Sequence, residues 1–132
     1  MNKGLISIAV ILIVVIGGFF LFKGDSTGSV ISGNDENTIT FTLTSSNLRF
    51  FLNGVESPEL RVKQGDKVKI ILNNEEGFHD WKIDEFNAAT ERVSAGATTT
   101  VEFIADKKGT FEYYCTVGQH RANGMKGKFV VE

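Results

Sequence analysis

From residue 38 onward the sequence is a succession of short segments in which apolar and polar residues alternate, and this feature limits the fold more than any other. Period-two alternation places successive side chains on opposite faces of a β-strand, and no long stretch has the 3.6-residue period of an amphipathic helix. β-Branched and aromatic residues are frequent in these segments, and turn pairs such as Asn53-Gly54 separate them. The pattern therefore predicts an all-β fold of about eight strands, at residues 38–44, 48–52, 60–62, 67–72, 78–84, 98–104, 110–115 and 126–131.

Eight short strands in about 95 residues suit a sandwich of two sheets. Within 78–84 the alternation places His79 and Trp81 on the interior face and Asp80 on the opposite, solvent face. It likewise places Cys115 in line with apolar neighbours. Residues 85–96 are less regular, and we expect a short helical turn or an irregular crossover there. The acidic residues around the first of these strands are expected to be solvated surface: Glu75, Glu76, Asp80, Asp84 and Glu85.

An uncharged apolar segment precedes this domain. Residues 5–22 include 15 aliphatic or aromatic residues in 18, and as a helix they would extend roughly 27 Å, close to the thickness of a bilayer core. We therefore expect residues 1–23 to form a single-pass membrane anchor. A cleaved signal peptide is the alternative, although the segment is long for one and no Ala-x-Ala follows it. Lys3 favours a cytoplasmic amino terminus, which would put the domain on the extracytoplasmic side of the cell membrane.

The remaining organisation follows from composition. Residues 24–37 are rich in Gly, Ser, Asp and Asn and are predicted to be a flexible linker, leaving residues 38–132 as one domain. After residue 23 there are 12 basic and 16 acidic residues, a balance that argues against nucleic-acid binding. The single Cys excludes an intramolecular disulfide. We expect a monomer.

The scarce residue types fall together. The chain has one Cys, two His and, beyond Met1, one Met. Cys115, His120 and Met125 are spaced Cys-x4-His-x4-Met between two predicted strands, and His79 lies near the end of another strand. Taken singly, a buried Cys or Met is usually a packing residue. Taken together, a thiolate, two imidazoles and a weak axial thioether are the donor set of an electron-transfer copper site.

The loop between Cys115 and Met125 must curl tightly to direct three side chains at one point, and Gly118 and Gly124 permit this. Thiolate and thioether donors favour copper over Mg²⁺ or Ca²⁺, and the usual zinc sets need more Cys than the chain has. Once one centre uses both His, none remains for a second copper cluster. No catalytic residue and no enzymatic activity are therefore predicted.

Two stretches resemble the cupredoxins, the small blue copper proteins that include plastocyanin, halocyanin and azurin. They are GTFEYYCTVGQHRANGMKGKFVVE and NNEEGFHDWKID. The resemblance implies a Greek-key β-sandwich holding one copper ion that cycles between Cu(I) and Cu(II). It implies His79, Cys115 and His120 as equatorial ligands and Met125 as the axial ligand. The four-residue gap between Cys115 and His120 is azurin-like, and Asp80 stands where many members have an Asn that ties the ligand loops together.

The predicted function is a membrane-anchored one-electron carrier between redox partner proteins. Two alternatives stay open: a copper storage or delivery protein, and a catalytic copper site that recruits Glu75, Glu76 or Asp80 as a ligand. His120, in mid-loop, is the expected electron port. A docking patch is expected around it, apolar at Val117, Ala122 and Met125 and positively charged at Arg121, Lys126 and Lys128.

Overall fold

The computed structural model describes residues 37–132. This part of the chain contains twelve short strands and no helix. No helix of this part is therefore long and apolar enough to cross a bilayer. The predicted membrane anchor and nearly all of the predicted linker lie outside the described residues. The strands are β1 (Thr38–Ser46), β2 (Arg49–Leu52), β3 (Val55–Glu56), β4 (Leu60–Val62), β5 (Lys67–Asn74), β6 (Phe78–His79), β7 (Lys82–Ile83), β8 (Ala88–Ala89), β9 (Val93–Ser94), β10 (Thr98–Ile104), β11 (Gly109–Tyr114) and β12 (Lys126–Val131).

Two five-stranded sheets form a sandwich. One has the order β10-β5-β1-β2-β3 and the other β4-β12-β11-β7-β8, while β6 and β9 form a separate small pair. β1 runs parallel to β5, from Thr38 opposite Lys67 to Ser45 opposite Asn74. β12 runs parallel to β4. The prediction of an all-β sandwich is confirmed.

The core lies between the sheets and is aromatic at its centre. Every second side chain of β5 is buried, as the alternation predicted. Trp81 is fully buried and stacks on Tyr113 and Phe103, with ring centroids 5.6 Å and 6.0 Å away. Its assignment to the core is confirmed. The apolar packing is continuous with the end of the sandwich that holds Cys115 and Met125, because both belong to the same buried cluster.

The predicted strand 78–84 is wrong in one important respect. The chain changes sheets within it, because Phe78–His79 pairs with β9 whereas Lys82–Ile83 pairs with β11. The alternation is interrupted at this break, so Asp80 is turned inward and is only 4% exposed. The prediction that Asp80 lies on the solvent face is therefore wrong. Residues 85–96 contain two turns and two short strands and no helical turn.

Candidate metal centre

Three of the predicted donors converge at one end of the sandwich. His79 is the last residue of β6, and Cys115 directly follows β11. The Nδ1 atoms of His79 and His120 are 3.1 Å apart, and the Cys115 Sγ is 3.8 Å from the first and 3.5 Å from the second. A point equidistant from these three atoms lies about 2.0 Å from each, close to the bond lengths of roughly 2.0–2.3 Å that imidazole and thiolate make to a metal ion. The triangle fits one ion.

Met125 is fully buried beside these donors. Its N–H donates to the carbonyl of His120 at 2.9 Å, and its own carbonyl accepts from the Cys115 N–H at 3.1 Å. The backbone of the fourth predicted donor is thus bonded to two of the other three. The loop of residues 115–125, called the ligand loop below, closes on itself through these bonds.

The ligand loop turns as tightly as its glycines suggested. The His120 N–H donates to the carbonyl of Val117 at 3.0 Å, and the Gly124 N–H donates to that of Arg121 at 3.0 Å. Gly118 and Gly124 have φ values of 46° and 99°, in the left-handed region where a side chain is disfavoured.

Burial governs the protonation of the donors. It raises the pKa of the Cys115 thiol, and the backbone N–H groups of Asp80 and Val117, which hydrogen-bond to the sulfur, partly oppose that rise. Burial, with a contribution from His120, lowers the pKa of His79. His79 is therefore neutral near pH 7, the form in which imidazole binds metals. The backbone of Glu76 opposes part of this lowering of the His79 pKa.

Asp80 ties the two ligand-bearing segments together. Its Oδ1 accepts a hydrogen bond from the Thr116 N–H at 2.6 Å, and its Oδ2 accepts from the Thr116 hydroxyl. Asp80 directly follows His79, and Thr116 directly follows Cys115. The hydrogen bonds between Asp80 and Thr116 therefore link the segment that carries His79 to the segment that carries Cys115. Arg92 completes the cluster, with its Nε 3.3 Å from the Asp80 Oδ2 and its guanidinium 2.8 Å from the Thr116 hydroxyl oxygen. The expectation that Asp80 belongs to the solvated acidic surface is wrong.

Sequence reasoning missed the role of Asn74. The predicted strand 67–72 stops before Asn73-Asn74, but both residues belong to β5 and form its end. The buried Asn74 side chain donates to the carbonyls of Gly77 and Val93, each at 2.9 Å, and accepts from the Ser45 hydroxyl at 2.8 Å. It therefore holds the loop that leads to His79. No local pattern distinguishes such an Asn from a turn residue.

A depression of 320 Å³, called the mouth below, opens over the two imidazoles. Phe78, beside His79, is 47% exposed there, and His120 is half-buried. The predicted docking patch is wrong about Met125, which is fully buried. Lys126 and Lys128 line a different depression. The mouth is lined by Leu48, Glu76, Gly77, Phe78, His79, Val117 and His120.

Comparisons with known proteins agree with this geometry. The family model described as "Cupredoxin-like domain" matches residues 10–131. Nitrous-oxide reductase of Cupriavidus necator is 33% identical over 99 residues, which are 71% of this chain and 14% of the reductase. Copper-containing nitrite reductase of Neisseria gonorrhoeae is 33% identical over 84 residues, 55% of this chain and 21% of that enzyme. The chain thus spans only a small part of these relatives.

Solved structures show the same fold. Auracyanin A, a "blue" copper protein of Chloroflexus aurantiacus, superposes with a TM-score of 0.60 at 24% identity, covering 72% of this chain and 99% of auracyanin. Rusticyanin of Thiobacillus ferrooxidans superposes with a TM-score of 0.62 at 22% identity, covering 73% of this chain and 78% of rusticyanin. The cluster of His79, Cys115, His120 and Met125 in this fold fits one type 1 copper site. The chain belongs to the cupredoxin-like domain family.

Proposed function

We propose that this protein is a one-electron carrier whose single copper ion is bound by His79, Cys115 and His120, with Met125 as the axial ligand. The observation that carries the proposal is the convergence of the three donor atoms within 4.8 Å of one another. Bound copper would supply the Cu(I)/Cu(II) couple. The protein holds the donors in one arrangement through the Asp80 contacts and the closed ligand loop, so that little reorganises when the charge changes.

The composition and contacts favour a carrier over an enzyme. The whole chain has two His and one Cys, and all three belong to this donor set. A catalytic site that recruits a carboxylate finds less support, because both Asp80 oxygens accept from Thr116. The Glu76 Oε1 accepts from the Asn47 N–H. The reductases among the relatives are much longer proteins, so their activities are not transferred.

The mouth is the proposed site of electron exchange. The half-buried His120 lines it together with the exposed Phe78 and the partly exposed Val117. Apart from Glu76, the residues around this half-buried ligand carry no formal charge. Such a rim suits brief docking of a redox partner protein, because most of the surface that loses water is uncharged. Donor and acceptor proteins would use this face in turn.

Anchoring to the cell membrane, with the domain on the extracytoplasmic side, completes the proposal. β1 begins at Thr38 and ends beside the loop that leads to His79, where Ser45 pairs with Asn74. Nine residues of strand span roughly 26 Å from the first to the last Cα. Thr38, where β1 begins, therefore lies at the end of this strand remote from the mouth.

Copper loading of the purified full-length chain tests the function. We expect a strong thiolate-to-copper visible band and reversible one-electron cycling, and we expect Cys115→Ser to lose both while keeping the wild-type circular dichroism. A wild-type chain that binds copper without the band contradicts the proposal. Rapid loss of Cu(I) to a modest chelator favours storage or delivery instead.

Membrane fractionation of cells that produce the chain with and without residues 1–23 tests the anchor.

A further inference from the structure

The turn between β1 and β2 has an unusual conformation next to the metal centre. Ser46 pairs with Arg49, so Asn47 and Leu48 form a two-residue hairpin turn. Their φ values are 48° and 55°, both in the left-handed region. Gly and Asn suit this turn type, whereas Leu is disfavoured because its Cβ approaches the backbone. A disfavoured conformation persists only where surrounding contacts hold it.

These contacts reach both sides of the metal centre. On one side the Asn47 N–H donates to the Glu76 carboxylate, three residues before His79. On the other side one terminal nitrogen of Arg49 donates to the carbonyls of Leu48 and Asn123, each at 2.8 Å. The hairpin thus spans from the loop before His79 to the ligand loop.

Arg49 also packs against the residue after Asn123. A Cβ added to Gly124 would lie 3.1 Å from the Arg49 Cζ, so the bare backbone of Gly124 faces the guanidinium. The Arg49 Nε donates to the Glu56 carboxylate at 2.9 Å, which fixes the plane of the group from behind. Asn123 and Gly124 immediately precede Met125. The Arg49 side chain therefore contacts the ligand loop at the two residues that precede Met125.

We propose that Arg49 is a positioning residue that fixes Met125 relative to His79, Cys115 and His120. The inference rests on the proposed function, since it assigns the arginine to the same site. An axial thioether binds copper weakly, so the protein sets the length of that contact and through it the potential. The hydrogen bonds within the ligand loop determine its conformation, and Arg49 links the loop to strand β2 of the sandwich.

The first test uses the copper-loaded full-length chain. Arg49→Ala should raise the reduction potential because the axial contact lengthens. Arg49→Lys should give a smaller rise, since an ammonium can still donate to the carbonyls but has no planar group to pack on Gly124. Arg61→Ala is the matched control. Like Arg49, Arg61 is a partly exposed arginine whose guanidinium binds carboxylates, in this case those of Glu59 and Glu132. An unchanged potential in Arg49→Ala, or an equal shift in the control, overturns the proposal.

The second test needs no copper. In the metal-free chain we expect Arg49→Ala to speed amide hydrogen exchange at Gly124 and Met125 at least tenfold, with exchange at Tyr113 unchanged. Glu56→Gln removes the ion pair but leaves the carbonyl contacts, so it should leave both loop amides slow. Equal acceleration at all three amides would show a general loss of stability and would overturn the proposal. Failure of copper to give a blue site refutes the proposed function alone, because this measurement still decides the role of Arg49.

Discussion

Replacing Asp80 offers the sharpest test of how the site is assembled. Asp80→Ala removes the acceptor of the Thr116 N–H and of the Thr116 hydroxyl, together with the partner of Arg92. The carboxylate side chain is 6% exposed, whereas that of Arg92 is 50% exposed. After the substitution Arg92 can turn to water, but the Thr116 N–H cannot readily do so.

The expected magnitude follows from these exposures. Hydrogen bonds to a charged acceptor contribute about 1.5–3 kcal/mol each when buried, whereas a half-exposed ion pair contributes about 0–1 kcal/mol. Since the two bonds to Thr116 share one acceptor group and are not additive, we expect Asp80→Ala to lower the free energy of unfolding by about 3 kcal/mol. Asp80→Asn keeps an acceptor for the N–H and gains a donor for the hydroxyl, so its cost should be about 1 kcal/mol.

Urea unfolding of the metal-free chain measures the difference. Trp81, the single Trp, is fully buried against Tyr113, so its fluorescence reports loss of the core. Asp106→Ala is the control, because its exposed side chain should contribute less than about 0.5 kcal/mol. Equal unfolding midpoints for Asp80→Ala and the control would refute the reasoning. An Asp80→Asn variant as unstable as Asp80→Ala would show that the charge, rather than the bonds to Thr116, dominates.

Three further predictions concern packing, the axial donor and protons. Gly127→Ala should lower the free energy of unfolding in urea by about 2–4 kcal/mol, because its Cβ would lie 2.2 Å from the buried hydroxyl oxygen of Tyr113. Lys128→Ala is the control and should be nearly neutral. An equally neutral Gly127→Ala would contradict the packing argument. Met125→Leu should keep copper bound and raise the potential by voltammetry, since it removes an axial donor; loss of copper would show that the thioether is required for binding. Copper affinity, measured by chelator competition, should rise about tenfold per pH unit from pH 7 to 8. Burial raises the pKa of Cys115, so binding releases its thiol proton, while the lowered pKa of His79 keeps that ring neutral; a flat profile would mean that the thiol is already ionised.

The donors could be predicted from the sequence because their residue types are rare. With one Cys and two His in the chain, few other metal sites could be assembled from them. The strands were predictable where one strand stays within one sheet, as in β5, because burial then alternates along its whole length. The same rule failed at Asp80, where the chain leaves the β6–β9 pair for another sheet and the next side chain turns inward.

The contacts that hold the donors have no comparable signal, because their partners are distant in the sequence. Asp80 and Thr116 are 36 residues apart, and Arg49 and Asn123 are 74 apart. A carboxylate beside a ligand is ambiguous by itself, since it suits water, a metal ion or a buried cation equally well. The role of such a carboxylate depends on which basic residue the fold brings to it, and the chain has 14 basic residues. Where the resemblance leads one to expect Asn, the fold supplies Arg92 as well as the Thr116 bonds, so the acid can occupy a buried position that an amide would occupy without a cation. The ligand set is thus a property of composition, whereas its rigidity depends on pairings that only the folded chain reveals.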